Sequence, residues 1–302
     1  MNNPDPSIVR SIILATAVSL TGVASPGTSH ASHAAHSAMK LMTFNVRLAI
    51  ASDGINAWEH RKDFLRDVVQ EYDPALLGVQ EAFQQQLDFI TESLPHRASI
   101  GEARGGGGSD EYSAIIYDTR RLQALQSETF WLSDTPAMPS ASWGNRFLRV
   151  CTWARFRDRD SGACLHAFNT HLDHESENAR VRAVGLILER IRGRRPDDEP
   201  FVLMGDFNAG ESSPPLSLIT SADGIHVNGA PTPIVDTFRV LHPEATAVGT
   251  FHAFTGVDDG RKIDHIFAPG GTEVLAAGII RSSRDGRHPS DHFPVTAELR
   301  FK

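Results

Sequence analysis

Cysteine is nearly absent: only Cys151 and Cys164 occur in 302 residues. That excludes a disulfide-knit miniprotein and a thiolate-bound zinc module. No segment approaches the ~20 consecutive apolar residues that cross a bilayer as a helix, so no stable membrane span is expected. Basic charge is in deficit, 29 Lys+Arg against 37 Asp+Glu for a formal charge of −8. The balance therefore gives no support for a broad electrostatic grip on nucleic acid. Neither low-complexity tracts nor an internal linker interrupts the chain, and 40% hydrophobic content is ample for one large core. No His-Glu-x-x-His helix occurs, and the glycine run Gly105 to Ser109 lacks the Gly-Lys-Ser/Thr ending of a phosphate loop. It reads as a flexible connector.

The first 38 residues carry only Asp5 and Arg10 as charges, and Ile12 to Ala24 is an apolar run of the kind found in signal peptides. Small residues at Ser29-His30-Ala31 and Ser32-His33-Ala34 suit cleavage. Residues 1–38 are accordingly read as a leader and 39–302 as one domain, secreted or periplasmic and expected to be monomeric; the competing reading is an apolar tail on a chain that is not exported. His30, His33 and His36 recur at a spacing of three, which suits metal binding, but they lie beside the cleavage site and read as solvated tail. Losing the leader removes one acid and one base, leaving the charge at −8.

Residues 150–157 and 163–171 read as strands around the turn 158–162, which places Cys151 opposite residue 170 and Cys164 opposite residue 157. Two free, buried thiols are expected. Leu41 to Leu48 alternates Met42, Phe44, Val46 and Leu48 against Thr43, Asn45 and Arg47, a strand with a polar row. A helix carrying Trp58, Leu65, Val68, Val69 and Tyr72 follows, with Asn56 and Glu59 as capping groups. Ala75 to Gln80 reads as a buried strand ending at Glu81, and Phe83, Leu87, Ile90 and Leu94 mark a second helix. The pattern recurs: Phe44-Asn45 answers Phe168-Asn169 at an offset of 124, and Glu81 answers Asp206 at 125, with Val184, Ile187, Leu188 and Ile191 on the intervening helix. Two strand-helix-strand halves, each ending in an acid, predict two facing sheets whose polar residues meet at one rim. Further strands are read at 262–268, 273–280 and 295–301.

Four acids, Glu81, Asp206, Asp264 and Asp291, stand at or just beyond strand ends, accompanied by Asn45, Asn208, His171 and His292. Carboxylates gathered at a rim repel one another unless a hard divalent cation with oxygen ligands joins them, which selects Mg²⁺, with Mn²⁺ as the alternative. Such a site suits hydrolysis of a phosphate ester: a metal polarises the phosphoryl group, an aspartate orients and deprotonates water, and a histidine paired with a second aspartate donates to phosphate. Asp206 and Asn208, two apart, fall on one side of an extended segment. Any one of these motifs alone is more often a turn, a cap or a structural histidine.

The ordered set Asn45, Gln80-Glu81, Asn169-Thr170-His171-Leu172, Gly205-Asp206-Phe207-Asn208, Ile263-Asp264 and Ser290-Asp291-His292 resembles the endonuclease/exonuclease/phosphatase superfamily over residues 40–301. That superfamily includes deoxyribonuclease I, abasic-site endonucleases, inositol polyphosphate 5-phosphatases, neutral sphingomyelinases and the carbon-catabolite-repressor deadenylases. The resemblance implies a four-layered α/β/β/α sandwich, two facing mixed β-sheets flanked by helices, with the site at one edge. It implies Glu81 as principal metal ligand with Asn45 and Asp291 near the metal or its water shell. Asp206 would activate water with help from Asn208, His171 and His292 would contact the phosphate, and Asp264 would fix and charge His292. Whether Asp206 or His292 takes the proton, and whether one or two metals bind, stays open. The segments at 58–62, 130–136, 149–154 and 171–174 look like a bacterial branch of exported phosphoesterases near the deadenylase-like group; Gln80-Glu81 departs from the Asn-Glu of sphingomyelinases. Arg149, Arg180, Glu111, Trp131 and Trp143 are candidates for the substrate pocket, arginine forks suiting phosphate and indoles suiting a base or sugar; packing and surface ion pairs are the alternative. The substrate is a phosphate ester, small molecule or nucleic acid, with a 3′–5′ exoribonuclease-like nuclease as an alternative enzyme and a catalytically silent phosphate-binding module as the alternative of another class.

Overall fold

The computed structural model describes residues 37–301. The leader and the three histidines at 30, 33 and 36 lie outside the described residues. In chain order the strands are β1 (Met39–Asn45), β2 (Leu76–Ala82), β3 (Arg97–Ile100), β4 (Tyr112–Asp118), β5 (Leu122–Trp131), β6 (Val150–Asp158), β7 (Cys164–His171), β8 (Phe201–Asp206), β9 (His226–Val227), β10 (Ala230–Pro231), β11 (Ile234–Asp236), β12 (Asp264–Pro269), β13 (Glu273–Ile279) and β14 (Val295–Arg300). The helices are α1 (Trp58–Tyr72), α2 (Gln84–Ser93), α3 (Glu177–Gly193), α4 (Pro214–Thr220) and α5 (Thr237–Leu241). Two six-stranded mixed sheets form, in the orders β13-β14-β1-β2-β4-β3 and β11-β12-β8-β7-β6-β5. Each has one parallel pair, β1–β2 and β7–β8, made by a right-sized helical crossover, and antiparallel neighbours elsewhere.

Strand alternation explains the layers. Met39 and Leu41 of β1 join Leu165, Ala167, Val202, Met204 and Ile266 in the core between the sheets, whereas Met42, Phe44 and Val46 pack with Trp58, Leu65, Leu87 and Ile90 of α1 and α2. Phe168, Phe201 and Leu203 turn the other way, onto Val184, Ile187, Leu188 and Ile191 of α3. This is the expected four-layered sandwich. Extending the same parity along β1, β7, β8 and β12 puts Asn45, Asn169, His171, Asp206 and Asp264 on the faces that look at the opposite sheet. The sheets approach closely there: a Cβ on Gly78 would stand 2.6 Å from Asn169 Oδ1.

Several local expectations change. α1 starts after Ala57 without a side-chain cap, and Asn56 ends a separate 3-10 turn, so Asn56 and Glu59 do not form a capping pair. α2 starts after Phe83, whose backbone N–H is accepted by Gln86 Oε1 at 3.0 Å. Cys151 faces Thr170 and Cys164 faces Arg157 as expected, and both thiols are free, but Cys164 is only half-buried. The 124 offset matches the alternation of hydrogen bonds, since even-numbered residues donate from the first strand of each parallel pair: Val46 N to Gln80 O and Leu172 N to Asp206 O. Glu81 is therefore out of phase with Asp206 by one residue. A β-bulge between Val79 and Ala82 corrects this, with Glu81 in a left-handed conformation at φ 60°.

Candidate active site

The rim at the ends of β1, β2, β7 and β8 frames a cavity of ≈380 Å³. His171, Asp206, Asn208, His292, Glu81 and Asp291 all line it. Asn45 lies beneath, fully buried, and its Nδ2 donates to Glu81 Oε1 at 3.0 Å and to Asp206 Oδ2 at 3.0 Å. Asp264 also sits behind the lining, where Oδ2 meets His292 Nδ1 at 2.9 Å and Oδ1 is buried without a partner. All eight residues expected to act in catalysis or near a metal thus converge.

Local chain geometry makes this possible. Non-glycine residues with positive φ occur at Arg47 (52°), Glu81 (60°) and Asn208 (48°), all three on the cavity wall. Backbone of this kind costs roughly 1–3 kcal/mol per residue and persists only where the surroundings enforce it. Arg61 enforces much of it: buried under the rim, it donates to Val46 O (2.7 Å), Arg47 O (2.8 Å), Asn56 O (3.0 Å) and Pro289 O (3.0 Å). Gln86 adds Nε2 to Arg47 O at 2.9 Å, and Ser290 Oγ donates to Asn45 O at 2.7 Å. One level deeper, Asn169 stitches the sheets, donating to Val79 O and Ala114 O and accepting from Gln80 Nε2 at 2.7 Å.

Asp206 Oδ2 is the meeting point of the site. Besides Asn45, His171 Nε2 lies 3.5 Å from it and His292 Nε2 lies 3.8 Å away, while Oδ1 accepts from Asn208 N at 2.8 Å. Burial, reinforced by the nearby Asp264 charge, pushes the Asp206 carboxyl up to about 7. Burial alone would depress His292, but the charge and hydrogen bond of Asp264 prevail and lift it to about 10. Burial, together with the Arg149 and His292 charges, holds His171 well below the usual histidine range, so it is a neutral imidazole. The site therefore presents one imidazolium, one neutral imidazole and one carboxyl poised near neutrality.

The donor sets fit a divalent ion. Glu81 and Asp291 offer hard carboxylate oxygens at the cavity wall, and Asn45 Oδ1 lies beside them, accepting from Arg47 N at 3.0 Å. Burial and then the Glu81 charge, against the opposing His292, raise Asp291. Arg47, clamped by both Asp53 oxygens at 2.9 and 3.0 Å, supplies part of that charge from 3.7 Å (Asp291) and 4.0 Å (Glu81). A second group, Asp206, Asp264 and His292, brings three ligand atoms within 4.8 Å of one another and could also hold an ion. There, however, His292 Nδ1 and Asp264 Oδ2 are already bonded to each other.

Of the five pocket candidates, Arg149 and Glu111 line the cavity. Three do not: Trp131 is buried with Nε1 on Arg104 O at 2.6 Å, Trp143 gives Nε1 to Asp134 at 2.8 Å, and Arg180 gives Nη1 to Asp173 O at 2.8 Å. Their role is packing and positioning. Missed in sequence were Arg47, Arg104, Phe147 and Phe251, which complete the wall. Arg47 falls in the polar row read from the sequence, but β1 ends at Asn45 and Arg47 reaches the wall through a left-handed backbone that the row does not show; Arg104, beside the glycine run, carries no signal at all.

Residues 42–292 match the model of the Endonuclease/Exonuclease/phosphatase family. An endonuclease/exonuclease/phosphatase structure from Bacteroides vulgatus superimposes with a TM-score of 0.79 at 29% identity, covering 88% of this chain and 100% of that one. A mannosyl-6-phosphatase from Bacteroides thetaiotaomicron gives 0.76 at 31% identity over 87% of this chain and 100% of its own. In sequence, Protein angel of Drosophila melanogaster is 26% identical over 270 residues, 80% of this chain and 72% of that protein. With the fold, the rim and these matches in agreement, the chain belongs to the Endonuclease/Exonuclease/phosphatase family and is a phosphoester hydrolase.

Proposed function

We propose an exported, Mg²⁺-dependent hydrolase of small phosphate esters in which Asp206 activates the attacking water. The convergence of Asn45, His171 and His292 on Asp206 Oδ2 carries this reading. Glu81 and Asp291, with Asn45 behind them, are the residues that would hold the metal, which when bound offsets charge on the phosphoryl oxygens and leaving group. Asp206, held by Asn45 and Asn208, orients water and accepts its proton. His292, kept cationic by Asp264, and His171, neutral, direct N–H groups at the developing negative charge. The cavity of ≈380 Å³, the net charge of −8 and the likeness to a mannosyl-6-phosphatase favour a small ester over a polymer. The apolar run of residues 12–24 is the support for export.

The test incubates the purified chain with p-nitrophenyl phosphate, bis-p-nitrophenyl phosphate and a short RNA, with Mg²⁺ or EDTA. EDTA-sensitive turnover of a small ester that disappears in Asp206→Ala is expected. No turnover on any substrate, or equal turnover in the variant, contradicts the reading.

A further inference from the structure

The stretch of wall next to Glu81, across the Ala82–Tyr112 pairing of β2 and β4, is chemically unlike the rest of the cavity. The glycine run Gly105 to Ser109 is the exposed tip of a loop closed by Arg104 N to Glu111 O at 2.9 Å and by Arg104 Nε to Asp110 Oδ1 at 2.9 Å. This closure sets the side chains of Arg104 and Glu111 together on the cavity wall, Arg104 Nη2 meeting Glu111 Oε1 at 2.7 Å. Trp131 Nε1 anchors the loop through Arg104 O. Beside them stands Arg149, whose side chain is only 5% exposed. Its Nη2 meets His174 Nδ1 at 2.9 Å, while Nε faces the buried Asp173 Oδ2 in an ion pair at 3.8 Å, with no hydrogen bond to either atom. Phe147 closes the patch, stacked on His174 at 5.8 Å with the Arg104 guanidinium 5.4 Å from its ring.

A buried guanidinium with an unused N–H is costly unless something polar joins it. A second phosphate would satisfy the arginines but meet the Glu111 charge. An apolar leaving group would offer nothing to the free donors and acceptors that Arg104, Glu111 and Arg149 keep beyond their mutual contacts. A vicinal diol fits both signs at once: its O–H groups donate to the carboxylate while its oxygens accept from a guanidinium fork. We infer that Glu111, Arg149 and Arg104 form a leaving-group subsite for adjacent hydroxyls, making the substrate a phosphorylated sugar or polyol. This rests on the hydrolase reading above and names the class of ester that it cleaves.

The experiment measures kcat/KM for mannose 6-phosphate, adenosine 5′-phosphate and hydroxyl-free p-nitrophenyl phosphate in the parent chain, Glu111→Gln and Arg149→Lys. The ratio of a hydroxylated ester to p-nitrophenyl phosphate is expected to fall about tenfold in each variant, mainly through KM, the scale of one charge-assisted hydrogen bond. A fall confined to the mannose ester identifies a hexose-like group, and one confined to the nucleotide identifies a ribose; either supports the diol subsite. Ratios unchanged within about twofold overturn it, because the residues then serve phosphate or fold alone. Should Arg149→Lys not fold, Glu111→Gln decides. Turnover of any of the three esters by the parent keeps the hydrolase reading whichever way the ratios go, and turnover of none of them overturns both.

Discussion

The parallel pairs β1–β2 and β7–β8 share a topology and a spacing, Leu41 pairing with Leu76 and His166 with Phe201, 35 residues on in each case. They deliver their acids differently. β8 runs straight into Asp206, which ends between the sheets with 1% of its side chain exposed and a pKa raised by burial to about 7. β2 reaches the rim one residue out of phase, and the bulge with its left-handed Glu81 turns that carboxylate to the cavity wall, 14% exposed and within 4.0 Å of Arg47. One frame thus yields a buried carboxyl suited to moving a proton and a wetter one suited to holding a cation. Asn45, hydrogen-bonded to both, is the hinge of the comparison.

The sharpest way to break that division is Asp206→Asn, which keeps the shape and removes the proposed base. A loss of about 10³-fold or more in kcat is expected, in the range of a positioned general base. The same variant should be more stable than the parent at pH 8. A carboxyl raised in the folded state contributes stability that is present below its unfolded value near 4 and lost as pH rises through about 7, so removing it relieves that loss. Thermal melts at pH 4 and 8 check the sign. Asp264→Asn should act next most strongly, roughly 10²-fold in kcat, by removing the charge that keeps His292 protonated. It also moves the basic limb of the kcat/KM profile down from about 10, while the parent's acid limb lies near 7. Asn45→Ala, which frees Glu81 and Asp206 from each other, is expected to cost about tenfold in kcat and to weaken Mg²⁺ binding by a similar factor, the effect of losing an orienting partner. A variant that impaired only one of the two would show that the acids are set independently.

Much of this was legible in the sequence because it follows from alternation. The polar row Thr43, Asn45 and Arg47 against Met42, Phe44 and Val46 already states which face of β1 meets the other sheet, and the repeated strand-helix-strand pattern states that there are two sheets. The candidate acids stand at or just beyond strand ends, where local pattern marks them. What the pattern hides is phase and distance. A bulge shifts Glu81 by one residue without a signature, so the 125 offset looked as good as 124. The pairing of Arg104 with Glu111 depends on how a glycine tip folds, and the burial of Trp131 and the packing of Trp143 against the α3 core depend on loops whose packing is non-local. Arginines were hardest to place, because Arg61, Arg149 and Arg180 look alike in sequence yet clamp backbone, line the cavity and cap a loop respectively.

The most direct test of the division between the two acids is the Mg²⁺ affinity of the parent, Glu81→Gln and Asp206→Asn, measured by calorimetry. Loss of at least about tenfold in Glu81→Gln with near-parent affinity in Asp206→Asn is predicted, placing the cation at Glu81 and Asp291. The reverse result, affinity lost in Asp206→Asn and kept in Glu81→Gln, would move the metal to Asp206, Asp264 and His292 and contradict the account.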